Sequence, residues 1–207
     1  MKIDSHHHFW NYDPVAYSWI GDHMAQLRND FTPDKLLAET QKAGIDGVIS
    51  VQASQTLDET DFLNNYAKQH DFIKGVVGWV PFADPDVEKY IERFAEEPKI
   101  IGMRHVVQDE PDDAFILGKA FNEGISHLKK HELIYDILIY ERQLAPTIEF
   151  VDQHPEQVFV LDHIAKPRIG DGLISPWKEK MLELAQRENV YCKLSGMATE
   201  ADWSKWT

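Results

Sequence analysis

The 207 residues predict an α/β fold, a (β/α)8 barrel of the TIM type represented here by about seven strands, and three observations carry that expectation. Short apolar runs alternate strictly with longer amphipathic ones, as in repeated strand–helix units. No glycine-rich fingerprint follows the first strand, which disfavours the doubly wound sheet that shares this alternation. Polar side chains gather at the C-terminal ends of the apolar runs, where a barrel keeps its active site.

The expected strands are Lys2–His8, Gly47–Ser54, Ile73–Val80, Ile100–Val107, Leu133–Ile139, Val158–His163 and Val190–Ser195. Helices are expected over Pro33–Ala43, Asp58–His70, Asp84–Glu96, Asp113–His131, Gln143–His154 and Pro176–Glu188. Each helix supplies the crossover that a parallel strand pair needs. Thr32 before Pro33, Asp84 before Pro85 and Ser175 before Pro176 read as N-caps followed by proline in the first turn. Gly44 falls where a helix needs a left-handed C-terminal residue. The long Trp- and Tyr-bearing connection from Phe9 to Phe31 follows the first strand, in the place of an active-site loop.

Nothing divides the chain, so a single domain over residues 1–207 is expected. The net charge of −14 repels polyanions and anionic membrane surfaces, so neither nucleic acid nor membrane is an expected partner. Cys192 is the one cysteine, which rules out an intrachain disulfide and fits a reducing compartment. There is no apolar signal core and no run long enough for a membrane span. A cytoplasmic enzyme with a small-molecule substrate is the expectation; a homo-oligomer is left open.

Side chains two apart on a strand share a face, so Asp4, His6 and His8 face one way. Two imidazoles one strand repeat apart can meet the same zinc or related divalent ion. The later strands end in Gln52, Trp79, Arg104 with His105, Asp136, Asp162 with His163, and Lys193. Arg104 and His105 cannot both point inward; Arg104 has Asp136 as a candidate ion-pair partner, and Lys193 is read as inward-facing. Trp10, Trp19, Phe31 and Trp79 serve as pocket lining or as packing. Trp203 and Trp206 read as helix-packing residues.

The segments Ile3–Trp10, Val51-Gln52-Ala53, Gly78-Trp79-Val80, Gly102-Met103-Arg104-His105, Leu161–Pro167 and Lys193–Gly196 occur in the order of one family. Together they resemble the amidohydrolase-2 proteins, and within them the sugar-lactonase branch that handles L-fucono- and L-rhamnonolactones in carbohydrate metabolism. The resemblance implies metal-ligand positions at His6 and His8, with His163 as a later ligand or site histidine. It implies a pocket lined by Gln52, Trp79, Arg104, His105 and Lys166. It carries a metal requirement only in part, since members of the branch differ, and a metal-independent mechanism stays open. The family's eighth strand, which ends in an aspartate, has no counterpart before Thr207, so a C-terminally truncated chain of low activity is expected.

The expected reaction is water attack on a lactone carbonyl. Arg104 or Lys166 would hold the oxyanion, and His105 or His163 would move the proton. A decarboxylase of the same family and a non-catalytic sugar-acid-binding barrel are the alternatives; release of carbon dioxide separates the first from a lactonase.

Overall fold

A computed structural model describes residues 1–205; the expectation for Trp206 lies outside them. The strands run in the order β1 to β7. The chain forms two compact units, Met1–Pro81 with Arg93–Gly102, and Phe82–Glu92 with the chain from Met103 onward. Among the described residues no helix is long and apolar enough to cross a membrane.

The first unit carries β1 (Ile3–His7), β2 (Gly47–Val51) and β3 (Ile73–Gly78), with α1 (Pro33–Lys42) and α2 (Leu57–Gln69) between them. The strands pair in parallel, Asp4 opposite Val48 and Val51 opposite Val77. Val48, Val51, Ile73, Val76 and Val77 are all buried, the unbroken apolar pattern of strands covered on both faces. Leu63 and Ala67 of α2 complete this core. Gly44 adopts φ +66° after α1, as the sequence requires. Thr56 caps α2, its hydroxyl accepting from the Glu59 N–H at 3.1 Å. The Thr-x-x-Glu spacing is that of a capping box, but Glu59 turns elsewhere, as described below.

The second unit carries β5 (Ile134–Ile137), β6 (Phe159–Leu161) and β7 (Val190–Cys192), again parallel. Its helices are α4 (Lys119–Ser126), α5 (Leu144–Gln153), α6 (Trp177–Leu184) and the short α7 (Met197–Glu200). α3 (Val87–Ala95) and β4 (Ile100–His105) each cross the division between the units. Phe82, Phe121, Tyr135, Phe150 and Phe159 pack edge-on or tilted in its core, a geometry that the ring quadrupoles favour.

Two expectations are corrected here. The helix expected over Asp113–His131 is broken into a 3-10 turn at Phe115–Leu117, α4, and a second turn at Lys129–His131. Gly118, with φ −58° and ψ 133°, is extended and resets the chain between the first turn and α4. Ser175 does not cap α6: the Ser175–Pro176 peptide is cis, and Pro176 itself precedes the first helical residue, Trp177. Asp84 begins a turn that leads into α3 at Val87 and accepts from the Asp86 N–H at 2.7 Å. Trp203 is exposed, its indole donating to the Ala198 carbonyl at 2.9 Å.

α4 lies so close to the Phe82 segment that a Cβ on Gly124 would stand 2.1 Å from the Phe82 carbonyl oxygen. Backbone cannot yield as a flexible side chain can. Gly124→Ala is therefore expected to destabilise by roughly 1–3 kcal/mol or more, measured by urea unfolding; a change within 0.5 kcal/mol would contradict this packing.

Candidate active site

In the first unit, β1 ends by presenting two imidazoles to one point. A register shift between Asp4 and His7 disturbs the strand, and the Asp4 carboxylate accepts from the His6 N–H at 3.1 Å. Asp4 thus holds the backbone of this segment. His6 Nε2 and His8 Nε2 lie 3.2 Å apart, their rings nearly perpendicular. His8 Nδ1 is 2.8 Å from the Val51 carbonyl, and a carbonyl can only accept. The neutral His8 ring therefore carries its proton on Nδ1 and its lone pair on Nε2, the arrangement usual in a metal-ligating histidine. His7 faces away, 3.0 Å from the Ser50 hydroxyl, and burial depresses its pKa to about 4. The donor set and its convergence fit a divalent cation of the zinc class.

The end of β2 is tied to the loop that follows β1. Glu59, buried, accepts from the backbone N–H of Ala53 and of Ser54 and from the Tyr17 hydroxyl at 3.2 Å. Tyr17 belongs to a small core with Trp10 and Ile20, against which Phe31 packs. This loop is therefore a built wall. The Trp10 indole donates to the Asn29 carbonyl at 2.9 Å, while Trp19 stands half exposed against the Trp10 ring. Gln52, fully buried, donates its backbone N–H to Val77 at 2.9 Å. Thr60 of α2 holds Trp79 from both sides, accepting from its N–H at 2.8 Å and donating to its carbonyl at 2.9 Å. Gly78 makes room for that threonine.

In the second unit, three buried charges and one partly buried one gather at the strand ends. Arg104 Nη1 is 2.9 Å from Asp162 Oδ2. Lys193 Nζ is 2.8 Å from Asp162 Oδ1 and also contacts Asp136. Both carboxylates have no exposed surface. Burial, reinforced by the Asp162 charge, pushes the Asp136 carboxyl up to about 6. The expected Arg104–Asp136 pair is thus replaced by two others: Arg104 takes Asp162, and Lys193 bridges both acids.

His105, next along β4, turns to the opposite side of the strand. It sits 2.7 Å from Glu110, stacked on Phe115 and edge-on to Phe121. Burial lowers its pKa against the opposing pull of Glu110. His163 begins a run of four non-glycine residues in the left-handed region, His163, Ile164, Ala165 and Lys166, with φ of 53°, 49°, 57° and 47°. Such a run costs roughly 1–2 kcal/mol per residue and is met mainly where function requires it. His163 Nδ1 is 2.9 Å from the Ser195 hydroxyl. Lys166 contacts Gln108 and lies over the Tyr140 ring at 5.2 Å; burial lowers its pKa.

The structure thus pairs His6 with His8, Arg104 with Asp162, and His163 with Ser195, and it separates His105 from Arg104. Glu59, Tyr140 and Ser195 carry no role in the sequence reading. Glu59 left a signal in its spacing from Thr56, and Ser195 one in its place within the Lys193–Gly196 segment.

Three comparisons bear on this geometry. The family model described as "Amidohydrolase" matches residues 3–207. An L-fucono-1,5-lactonase of Burkholderia multivorans is 38% identical over 213 residues, spanning 99% of this chain and 71% of the relative. The L-fucono-1,5-lactonase of Burkholderia ambifaria is 34% identical over 201 residues, 97% and 69% of the two chains. A crystal structure of a Burkholderia multivorans amidohydrolase with bound zinc superposes with a TM-score of 0.92 at 39% identity, covering 98% of this chain and 72% of that one. The likeness shows the fold: an α/β barrel of the TIM type, here incomplete, with seven strands among the described residues.

Two predictions follow from the buried charges and from His105. Lys193→Met leaves two buried carboxylates short of a counter-charge and should cost about 3–5 kcal/mol in urea unfolding; a loss under 1 kcal/mol would contradict the network. His105 has a depressed pKa, so its stabilisation is full above the ordinary histidine value of about 6.5 and is lost as pH falls through the folded value. His105→Gln should therefore flatten the acid side of the melting-temperature profile. An unchanged slope would show that His105 does not set it.

Proposed function

The chain belongs to the amidohydrolase family, and on that premise we propose that it is a hydrolase opening a sugar-acid lactone, of the L-fucono-1,5-lactone class. The observation that carries the proposal is the His6–His8 pair, Nε2 to Nε2 at 3.2 Å with the His8 tautomer set by Val51. It supports a divalent ion, zinc by the chemistry of its donors, held by His6 and His8. A bound ion supplies Lewis-acid polarisation of an ester carbonyl.

The remaining work falls to this chain's own groups. In a (β/α) barrel the strand C-termini share one rim, and the proposal assigns the substrate to that rim. Gln52 and Trp79 bind and orient the lactone. Water attacks the carbonyl carbon, the ring C–O bond breaks, and the leaving oxygen takes up a proton. His163 takes the water proton and returns it to the leaving oxygen. Lys166, with its lowered pKa and an ammonium that can donate, holds the oxyanion. Arg104 is committed to Asp162, so its role is to fix that carboxylate rather than to meet the substrate. His105, packed against Phe115, is the weaker candidate for the proton. The exposed single cysteine suits the cytoplasm proposed as its location.

The protein should hydrolyse L-fucono-1,5-lactone, with loss of about 100-fold in the His6→Ala, His8→Ala double variant and a parallel loss of zinc binding by calorimetry. Undiminished hydrolysis by the double variant would remove these histidines from the mechanism. Carbon dioxide release from an aromatic or unsaturated acid, without lactone opening, would replace the proposal with a decarboxylase.

A further inference from the structure

The left-handed turn at His163–Lys166 is held from three directions. The Trp177 indole, at the start of α6, donates to the Ile164 carbonyl at 2.7 Å. Gly196, just past β7 and itself at φ +76°, comes so near that a Cβ there would stand 2.5 Å from the His163 Cβ. Ser195 places its hydroxyl 2.9 Å from His163 Nδ1. The first two contacts fix the backbone and the base of the side chain. They leave open which ring nitrogen carries the proton, whereas the third is made by a ring nitrogen itself.

From this arrangement we infer that Ser195 is a positioning residue for His163: its oxygen accepts from Nδ1–H, which leaves the lone pair of the neutral ring on Nε2. A hydroxyl oxygen has the lone pairs to accept such a bond, and the hydrogen bond at one ring nitrogen sets the state of the other. The same device operates at His8, where the Val51 carbonyl plays the part of the acceptor. Two imidazoles on different strands are therefore prepared alike, each held by Nδ1 and each presenting Nε2. The inference rests on the reading of His163 as a site residue. It adds that the strained turn alone is not enough, because a correctly placed ring in the wrong tautomer can neither take a proton through Nε2 nor donate an electron pair from it.

The test uses the full-length protein with nitrogen-15 in its histidines, His163 being assigned by comparison with His163→Gln. Two-bond ring correlations at pH 8 report the tautomer without any need for activity. The expected result is Nδ1–H in the wild type, a shift toward Nε2–H in Ser195→Ala, and recovery of Nδ1–H in Ser195→Thr. Ser195→Cys, with a weak acceptor of similar size, gives the same readout should the alanine variant not fold. Lactone hydrolysis by Ser195→Ala should fall about 10- to 100-fold in kcat, with KM within about twofold and recovery in the threonine variant. An Nε2–H ring in the wild type, or an unchanged tautomer in Ser195→Ala and Ser195→Cys, would overturn the inference. Full activity in His163→Gln would refute the proton role of His163 and leave the tautomer result standing.

Discussion

Charge can be buried only where it is paired, and that constraint governs the second unit. Arg104, Asp136, Asp162 and Lys193 come from β4, β5, the end of β6 and the residue after β7. Two positive and two negative groups balance, so the cluster carries no net charge when all four are ionised. Its desolvation is costly, and the strand ends must stay in register for the pairs to form. A cluster of this kind contributes less to stability than to specificity of arrangement. It fixes Asp162, and with it the point from which the chain enters the left-handed turn bearing His163 and Lys166.

The first unit reaches the same end through side-chain hydrogen bonds to backbone groups. Val51 sets the His8 tautomer, Thr60 brackets the Trp79 backbone, and Glu59 ties Ala53 and Ser54 to Tyr17 of the loop after β1. In each case a residue of a neighbouring element holds a strand end or the loop beside it. α2 supplies both Thr60 and Glu59, one turn apart from its cap, and so anchors β2 and β3 together. The pattern is that of a site whose supporting contacts are built into the packing of the fold.

The seven strands were legible because each is a short apolar run bounded by turn residues, and the alternation fixed their order. The expected strand ends run one or more residues beyond those observed, as at Trp79-Val80 and Asp162-His163, because the residues that directly follow each strand carry no boundary signal. The His6–His8 pair was legible from period-two alternation alone. Other features were not. Asp162-His163-Ile164-Ala165-Lys166 contains no glycine, so nothing in it announces a left-handed turn; the clamps at Trp177, Ser195 and Gly196 impose it from afar. The partner of Arg104 could not be read because Asp136 and Asp162 are equivalent by type. Lys193, facing both, decides between them only in three dimensions. His105 entered the expected pocket through the family resemblance, although period two already set it opposite Arg104, and the structure packs it against Phe115 and Glu110.

The central claim is that the two β1 imidazoles hold a divalent ion through Nε2. Anomalous diffraction at the zinc edge, from crystals of the full-length protein saturated with zinc, tests it directly. A peak about 2.0–2.1 Å from both Nε2 atoms is the predicted result. Zinc bound only elsewhere, with the two rings still bonded to each other, would contradict it.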